Sequence, residues 1–281
     1  RAAIRDMVPE REAASMIGYV TMGMAVAPMV GPAIGGSLDA IFGWQASFWA
    51  LFLLGAVVLA LTWADFGETA PRKPGGFAAQ LRDSPELFRS PRFWGYAGTL
   101  GFASGAFFAY LGGGPYVGDQ VFGMDPATFG IYFGAPAVGY FIGNFISGRY
   151  SIRFGVNRMV LIGSVVCAAG ITVNLMLFAV DLGTPLSFFG LMSLMGLGNG
   201  LVIPNATAGA LSVRPHLAGT ASGLSGALMI GLGAGLSALA GFILTLGLGT
   251  LPLLALMVVS AYAAIFTILY VIRRERILGV S

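Results

Sequence analysis

The sequence has few of the residues that make up catalytic and metal-binding sites. Its 281 residues include one cysteine and one histidine, and charged residues make up only 10%. Soluble domains carry about 25% charged residues, so this composition excludes an ordinary soluble domain. Cys167 has no partner for an internal disulfide, and His216 has no Cys, Asp or Glu at the spacing of a metal-ligand set. We therefore expect no metal, no cofactor and no enzyme activity.

Acidic residues are missing from the middle of the apolar stretches. All twelve lie at the edges of these stretches or between them. Because ionisable groups within a membrane usually mark proton or ion pathways, the stretches themselves show no such pathway. If the protein couples transport to protons, we expect the titrating residue to lie upstream of this chain.

Long apolar runs make up most of the chain, and 57% of its residues are hydrophobic. With about 20 residues as the length of a helical span, we predict an all-α polytopic membrane protein. Continuous apolar runs favour helices over the alternating strands of a barrel. The eight predicted spans are Ser15–Leu38, Ala46–Ala64, Phe93–Pro115, Ala127–Gly148, Met159–Val180, Pro185–Leu211, Leu217–Leu246 and Leu251–Ile272.

Basic residues occur in every second gap between these spans. The fifteen are Arg1, Arg5, Arg11, Arg72, Lys73, Arg82, Arg89, Arg92, Arg149, Arg153, Arg158, Arg214, Arg273, Arg274 and Arg276. This alternation is the positive-inside pattern and predicts that both ends of the chain are cytoplasmic. The counter-charge we expect is anionic lipid headgroups of the bilayer, and no nucleic acid.

The longest polar stretch runs from Asp65 to Arg92 and is rich in Pro and Gly, which is typical of a linker. We predict that it separates two membrane units. Residues 1–64 would hold the end of an N-terminal half, residues 65–92 a central cytoplasmic loop, and residues 93–281 a six-helix C-terminal half. Three pairs, Ser90-Pro91, Asp125-Pro126 and Thr184-Pro185, are typical of helix starts.

Small residues recur at four-residue spacing in several spans, where they allow close helix crossings in lipid. The ladders are Gly23, Ala27, Gly31, Gly35 in the first span; Gly101, Gly105, Ala109, Gly113 in the third; Ala135, Gly139, Gly143, Ser147 in the fourth; and Gly219, Gly223, Ala227, Gly231, Gly235 in the seventh. We expect the first, fourth and seventh ladders to lie at helix crossings.

Neutral polar and aromatic side chains are the candidates for substrate binding. The candidates are Phe107, Tyr110, Tyr132, Asn199 and Asn205. The aromatic residues fit helix packing as well as a cavity wall, and the asparagines fit interhelical hydrogen bonds as well as ligand contacts. Pro136 and Pro204 interrupt their spans, as in the broken helices that line transport pathways. Trp44, Trp49, Trp63, Trp94 and Tyr96 are expected in the interfacial belt.

The first span contains Gly31-Pro32-Ala-Ile-Gly35-Gly36. This run resembles the antiporter motif G-P-x-x-G-G in the fifth helix of drug:proton antiporters of the major facilitator superfamily. The flanking Arg1-Ala-Ala-Ile-Arg5-Asp6 and Phe42-Gly43-Trp44-Gln45 are similar to the bicyclomycin-resistance branch. The loop after the fourth span, with Arg149, Arg153, Gly155 and Arg158, resembles a second copy of the basic loop motif of the superfamily, with Gly148 in place of the usual aspartate.

This resemblance implies a bacterial inner-membrane, multi-pass efflux antiporter that exports small amphiphilic drugs against protons by alternating access. It implies that the chain holds helices five to twelve, lacks the upstream helices, and does not transport alone. In the resemblance, Gly31, Pro32, Gly35 and Gly36 let the first span bend and pack against the other half. Two alternatives stay open: a facilitator or symporter of one metabolite, and a non-transporting membrane scaffold or sensor.

Sidedness is testable by cysteine labelling of intact cells. Single cysteines near Asp39, Asp125, Asp181 and Gly249 are expected to react with a membrane-impermeant maleimide from outside, because these gaps contain no basic residue. Cysteines near Lys73 and Arg153 are expected to react only after the cells are permeabilised. The reverse pattern of labelling would contradict the topology.

Overall fold

The computed structural model describes residues 4, 7–9, 12–20, 23, 34, 38, 41–65, 85–247 and 249–279. Within these residues the chain is helical and has no strand, which confirms the predicted all-α class. The helices are α1 (residues 12–20), α2 (Gln45–Asp65), α3 (Pro91–Tyr116), α4 (Pro126–Phe133), α5 (Ala135–Phe154), α6 (Val156–Ala179), α7 (Pro185–Ser212), α8 (Ala218–Thr245) and α9 (Leu251–Leu278). A π-helical segment, Val117–Val121, extends α3, and a 3-10 turn, Pro215–Leu217, precedes α8.

Six of the described helical regions are long and apolar enough to cross a membrane. They are Gln45–Asp65, Thr128–Phe154, Val156–Ala179, Pro185–Ser212, Pro215–Thr245 and Leu251–Leu278. Helix α3, at 26 residues, has the length but contains many glycines, which lower its hydropathy. Seven predicted spans therefore coincide with described helices, and the first is described mainly at its beginning. The proposed division into two membrane halves and a central loop stays a prediction.

The three predicted helix starts are confirmed by capping hydrogen bonds. Ser90 Oγ accepts from the Phe93 N–H at 3.4 Å, and Asp125 Oδ1 accepts from the Thr128 N–H at 3.0 Å. Thr184 and Ser187 form a reciprocal capping box before α7. Each cap satisfies a backbone donor at the first turn, where the following proline has none to satisfy.

Helices α3 and α7 form the centre of the bundle. Helix α3 packs against α7, α8 and α9, whereas α7 packs against α5 and α6 as well. Buried apolar side chains form one core toward each end of these helices. Helix α2 has no buried residue and no extensive contact with the other described helices.

Charged and polar side chains connect the helices at one end of the bundle. Arg92 of α3 contacts Glu275 of α9, and Asn157 of α6 contacts the same carboxylate. Glu86, in a helical turn at 85–88, contacts Arg214 in the turn after α7. We call this the basic end of the bundle and the other the opposite end.

The small-residue ladders of the third and fourth spans lie at helix crossings. A Cβ atom on Gly139 would lie 1.9 Å from the Ser193 carbonyl oxygen, and one on Gly143 would lie 2.2 Å from that of Leu197. A Cβ on Gly105 of α3 would lie 2.4 Å from the Leu236 side chain of α8. The prediction for the fourth span is therefore confirmed: α5 and α7 touch through their backbones.

The expectation for the seventh span is wrong. Gly219, Gly223, Ala227, Gly231 and Gly235 are all exposed on α8, which buries Ala221, Ser225, Gly233 and Ala240 instead. Spacing identifies a helix face but does not say which neighbour covers it, and α8 turns a different face to α3. In the first span, Gly23 has no atom within 4 Å of a Cβ position, and Ala27, Gly31 and Gly35 lie outside the described residues.

Gly155 alone separates α5 from α6. Its backbone has φ 81° and ψ 154°, a conformation that is essentially restricted to glycine, and no atom lies within 4 Å of a Cβ position. The sharp stop between the two helices therefore depends on this residue through its backbone rather than through packing.

We predict that Gly155→Ala lowers the free energy of unfolding by about 1–3 kcal/mol, because alanine is strained in this conformation. The measurement is thermal unfolding of the purified protein in detergent. Gly130→Ala is the matched control, since Gly130 lies within α4, has no atom within 4 Å of a Cβ position and has no positive φ. Equal unfolding temperatures for the two variants would contradict the prediction.

Candidate functional site

The predicted substrate-binding residues lie on three helices around the centre of the bundle. Phe107 and Tyr110 belong to α3, Tyr132 to α4, and Asn199 and Asn205 to α7. The structure gives these five side chains different surroundings, and their role in substrate binding stays a prediction.

Tyr110 and Tyr132 belong to an aromatic cluster near the opposite end. Tyr110 is fully buried, and its ring stacks on that of Phe133 with centroids 4.9 Å apart. The Tyr132 ring lies 5.8 Å from that of Phe189. The cluster consists of Tyr110, Phe122, Phe129, Tyr132, Phe133, Phe178, Phe188 and Phe189. It joins the ends of α3, α4, α6 and α7 in one contact.

The Tyr110 hydroxyl satisfies a backbone group freed by the break between α4 and α5. The Ala137 N–H bonds the Gly134 carbonyl at 2.9 Å, next to Pro136, which has no N–H. The Phe133 carbonyl instead accepts the Tyr110 hydroxyl at 2.9 Å. A freed carbonyl in lipid needs such a donor, so Tyr110 stabilises the broken helix.

Asn205 joins α7 to α5. Its side chain is fully buried, and its Nδ2 donates to Ser147 Oγ at 2.8 Å and to the Leu201 carbonyl at 2.8 Å. Its Oδ1 is buried and has no hydrogen-bond partner in the described part of the chain. The amide nitrogen therefore holds α7 against α5, and the amide oxygen makes no hydrogen bond to the described residues.

Asn199 is one of three buried asparagines, with Asn174 and Asn205, whose Oδ1 has no partner among the described residues. It is 3% exposed. A buried amide oxygen without a partner costs free energy, because it has lost its hydrogen bond to water. Phe107 is partly buried one helix away and stacks toward Tyr110 at 6.4 Å.

The loop motif between α5 and α6 lies at the basic end. Arg149, Arg153, Gly155 and Arg158 are exposed, and the Arg153 guanidinium lies 5.8 Å from the centre of the Phe154 ring. The four antiporter-motif residues, Gly31, Pro32, Gly35 and Gly36, lie outside the described residues.

Gly148, the residue before this motif, is the point at which α1 crosses α5. A Cβ on Gly148 would lie 2.9 Å from the Tyr19 ring, and one on Gly18 would lie 2.8 Å from the Gly148 nitrogen. Ser15 Oγ donates to the Gly148 carbonyl. An aspartate at position 148 would clash with Tyr19, so glycine here allows the crossing.

A buried charged network at the basic end was not predicted from the sequence. Glu275, expected at the edge of the eighth span, is 4% exposed because α9 continues to Leu278. Arg92, Tyr96 and Asn157 all contact its carboxylate. Tyr96 is 2% exposed, so its expected place in the interfacial belt is wrong. Opposite charges at span edges on one side of the bilayer were the signal available in the sequence.

Glu86 forms a second charged group at the same end. It lies 2.5 Å from Arg214 and 3.3 Å from His216, and all three side chains are about half exposed. Leu87, beside it, is fully buried against the ends of α7 and α8. Within the described residues no three His, Cys, Asp or Glu side chains lie close enough to hold a metal ion.

Comparison with known proteins gives one family. The family model of the Major Facilitator Superfamily matches residues 1–238 and, in a second match, residues 114–279. The chain is 30% identical over 269 residues to YdgK, an uncharacterised transporter of this superfamily type from Bacillus subtilis, covering 93% of the chain and 65% of YdgK.

Two further relatives have names that refer to resistance. A bicyclomycin resistance protein homolog of Haemophilus influenzae is 26% identical over 236 residues, covering 83% of the chain and 59% of that protein. Multidrug resistance protein D of Escherichia coli is 30% identical over 266 residues, covering 90% and 64%. The chain thus spans less than two thirds of the length of these relatives.

The hydrogen bond between Asn205 and Ser147 predicts that substitutions of the two residues have non-additive effects on the free energy of unfolding. In a double-mutant cycle, Asn205→Ala and Ser147→Ala are expected to couple by about 0.6–1.7 kcal/mol, the range for hydrogen bonds between membrane helices. The measurement is unfolding of the purified protein in mixed detergent. Asn205→Ala with Ser164→Ala is the control cycle, because buried Ser164 Oγ on α6 has no hydrogen-bond partner among the described residues. Equal coupling in both cycles would contradict the contact.

Proposed function

The chain belongs to the Major Facilitator Superfamily, and on this premise we propose that the whole protein exports small amphiphilic compounds in exchange for protons. The names of the relatives from Haemophilus influenzae and Escherichia coli support export of drugs as the task. The proposed mechanism is alternating access, in which two helical halves close at one end while they open at the other.

The packing of α1 on α5 and α7 is the observation that carries the proposal. Buried Ala13, Ala14 and Ile17 of α1 form a cluster with Ala208 of α7 at the basic end. Direct contact between α1 and α7 at one end is what alternating access requires of the two halves in the state that is closed there.

The unpaired amide oxygens of α7 support a binding surface of neutral polarity. We propose that Asn199 Oδ1 accepts a hydrogen bond from the substrate, while Phe107 and Tyr132, both partly buried, contact its apolar part. Asn205 Oδ1 is a second acceptor on the same helix. Tyr110 acts from behind this surface by fixing the broken helix.

The proposal also covers the orientation of the protein in the membrane and the place of the group that couples export to protons. We propose that the basic end faces the cytoplasm of a bacterial inner membrane, with both chain ends on that side, because cationic loops remain cytoplasmic. No acidic residue of α1 to α9 lies away from the helix ends. We therefore propose that the carboxylate that couples export to protons lies outside the described residues, and that the antiporter motif limits proton leak.

We predict that Asn199→Ala reduces export without reducing stability. The complete gene is expressed in an efflux-deficient strain, and drug resistance and proton-driven drug flux in vesicles are measured. Loss of one hydrogen bond of about 1 kcal/mol corresponds to about a fivefold weaker apparent affinity. Thermal stability is expected to stay unchanged, since Asn199 Oδ1 has no partner in the described part of the protein to lose.

Asn174→Ala is the matched control. Asn174 is a fully buried asparagine on α6, and its Nδ2 donates to the Phe188 carbonyl at 3.0 Å. Its Oδ1, like that of Asn199, has no partner among the described residues, so the control also tests whether any buried asparagine would give the same result. Because its Nδ2 holds α6 on α7, its loss is expected to lower the unfolding temperature with little effect on apparent affinity. Unchanged affinity in Asn199→Ala would refute the substrate contact. Uptake of a single metabolite, or binding without flux, by the complete protein would refute drug export itself.

A further inference from the structure

Glu275 is the one buried acidic residue in the described part of the chain. It lies in the last turns of α9, and its side chain is 6% exposed. A buried carboxylate is costly unless it is paired and hydrogen-bonded, so its position has to be supported by the residues around it. The proposed export mechanism does not use this group.

Donors from two other helices surround the Glu275 carboxylate. Arg92 of α3 donates to Oε1 through Nη2 at 2.5 Å and through Nε at 3.0 Å. Asn157 of α6 donates to Oε2 at 2.5 Å. The Tyr96 hydroxyl lies 3.1 Å from Oε1 and 2.7 Å from Asn157 Oδ1. Charge-assisted bonds of this kind fix α3, α6 and α9 relative to one another.

Tyr96 connects this network to α7. A Cβ on Gly209 would lie 2.4 Å from the Tyr96 ring, so the ring lies directly on the α7 backbone. The adjacent residue, Ala208, is buried in the cluster with Ala13, Ala14 and Ile17 of α1. The end of α7 therefore lies between the charged network and the helix that meets it from the other half.

We propose that Glu275, Arg92, Tyr96 and Asn157 are positioning residues that hold the end of α7 where α1 closes on it. The ionised carboxylate orients the Tyr96 hydroxyl, the Tyr96 ring fixes the backbone at Gly209, and Ala208 then presents the surface that α1 contacts. Loss of the carboxylate charge or of the Tyr96 hydroxyl shifts the protein toward the state in which the basic end is open. The inference rests on the proposed alternating access.

The test measures closure of the basic end by cross-linking in the complete protein. Cysteines replace Ala14 and Ala208, and Cys167, together with any cysteine of the complete protein outside this chain, is replaced by alanine. A short bis-maleimide then reports the fraction of molecules in which α1 and α7 are in contact. Glu275→Gln and Tyr96→Phe are expected to lower the rate of cross-linking about fivefold or more. Tyr96→Phe keeps the ring against Gly209 and removes only the hydroxyl.

Two controls separate positioning from loss of structure. Glu86→Gln removes a second ion-paired carboxylate of the described residues at this end, which does not contact Tyr96, and is expected to leave cross-linking unchanged. The exchange Arg92→Glu with Glu275→Arg is expected to recover part of the cross-linking lost in Glu275→Gln. Unfolding temperatures are measured for every variant, so that Tyr96→Phe decides the result if Glu275→Gln does not fold.

If folded Tyr96→Phe and Glu275→Gln cross-link at the wild-type rate, the inference is overturned, and the network only stabilises the bundle. The readout does not depend on drug flux. A protein that cross-links as predicted but exports no drug would refute the proposed function and keep the positioning role. A protein that exports drugs but shows unchanged cross-linking in the variants would keep the proposed function and refute the positioning role.

Discussion

Direct backbone contact between α5 and α7 is the constraint on which the rest of the bundle depends. At this seam Gly139 and Gly143 face the carbonyls of Ser193 and Leu197, and any side chain there would separate the helices. In lipid, close packing takes the place of the hydrophobic drive, so the seam fixes α7 against α5. Helix α3 and the polar groups of α7 then take their positions from it.

Broken backbone and aromatic packing are linked in this protein. Pro136 interrupts the helix that spans the membrane as α4 and α5, and the freed Phe133 carbonyl is satisfied by Tyr110 from a different helix. The same tyrosine stacks on Phe133 in the aromatic cluster. Tyr110, a candidate substrate contact in the sequence, therefore supports the break between α4 and α5, and its substitution would destabilise that break.

Helix positions and starts follow from local sequence because they depend on neighbouring residues. Apolar length predicted seven described spans, and the caps at Ser90, Asp125 and Thr184 confirmed three helix starts. Contacts between distant residues do not follow in this way. The exposed glycine ladder of α8 has the same spacing as the ladder of α5, which is buried because α7 packs directly on it. Glu275 meets Arg92 across more than 180 positions, which no spacing rule anticipates.

The one-residue connection at Gly155 has a mechanical consequence. A single residue spans about 3.8 Å, so α5 and α6 have almost no slack between them. Any tilt of α5 pulls the start of α6 with it, and through the seam it carries α7 as well. The tilts of α5, α6 and α7 are therefore coupled through Gly155 and the seam. A connection longer by a few residues would let α5 tilt without moving α6.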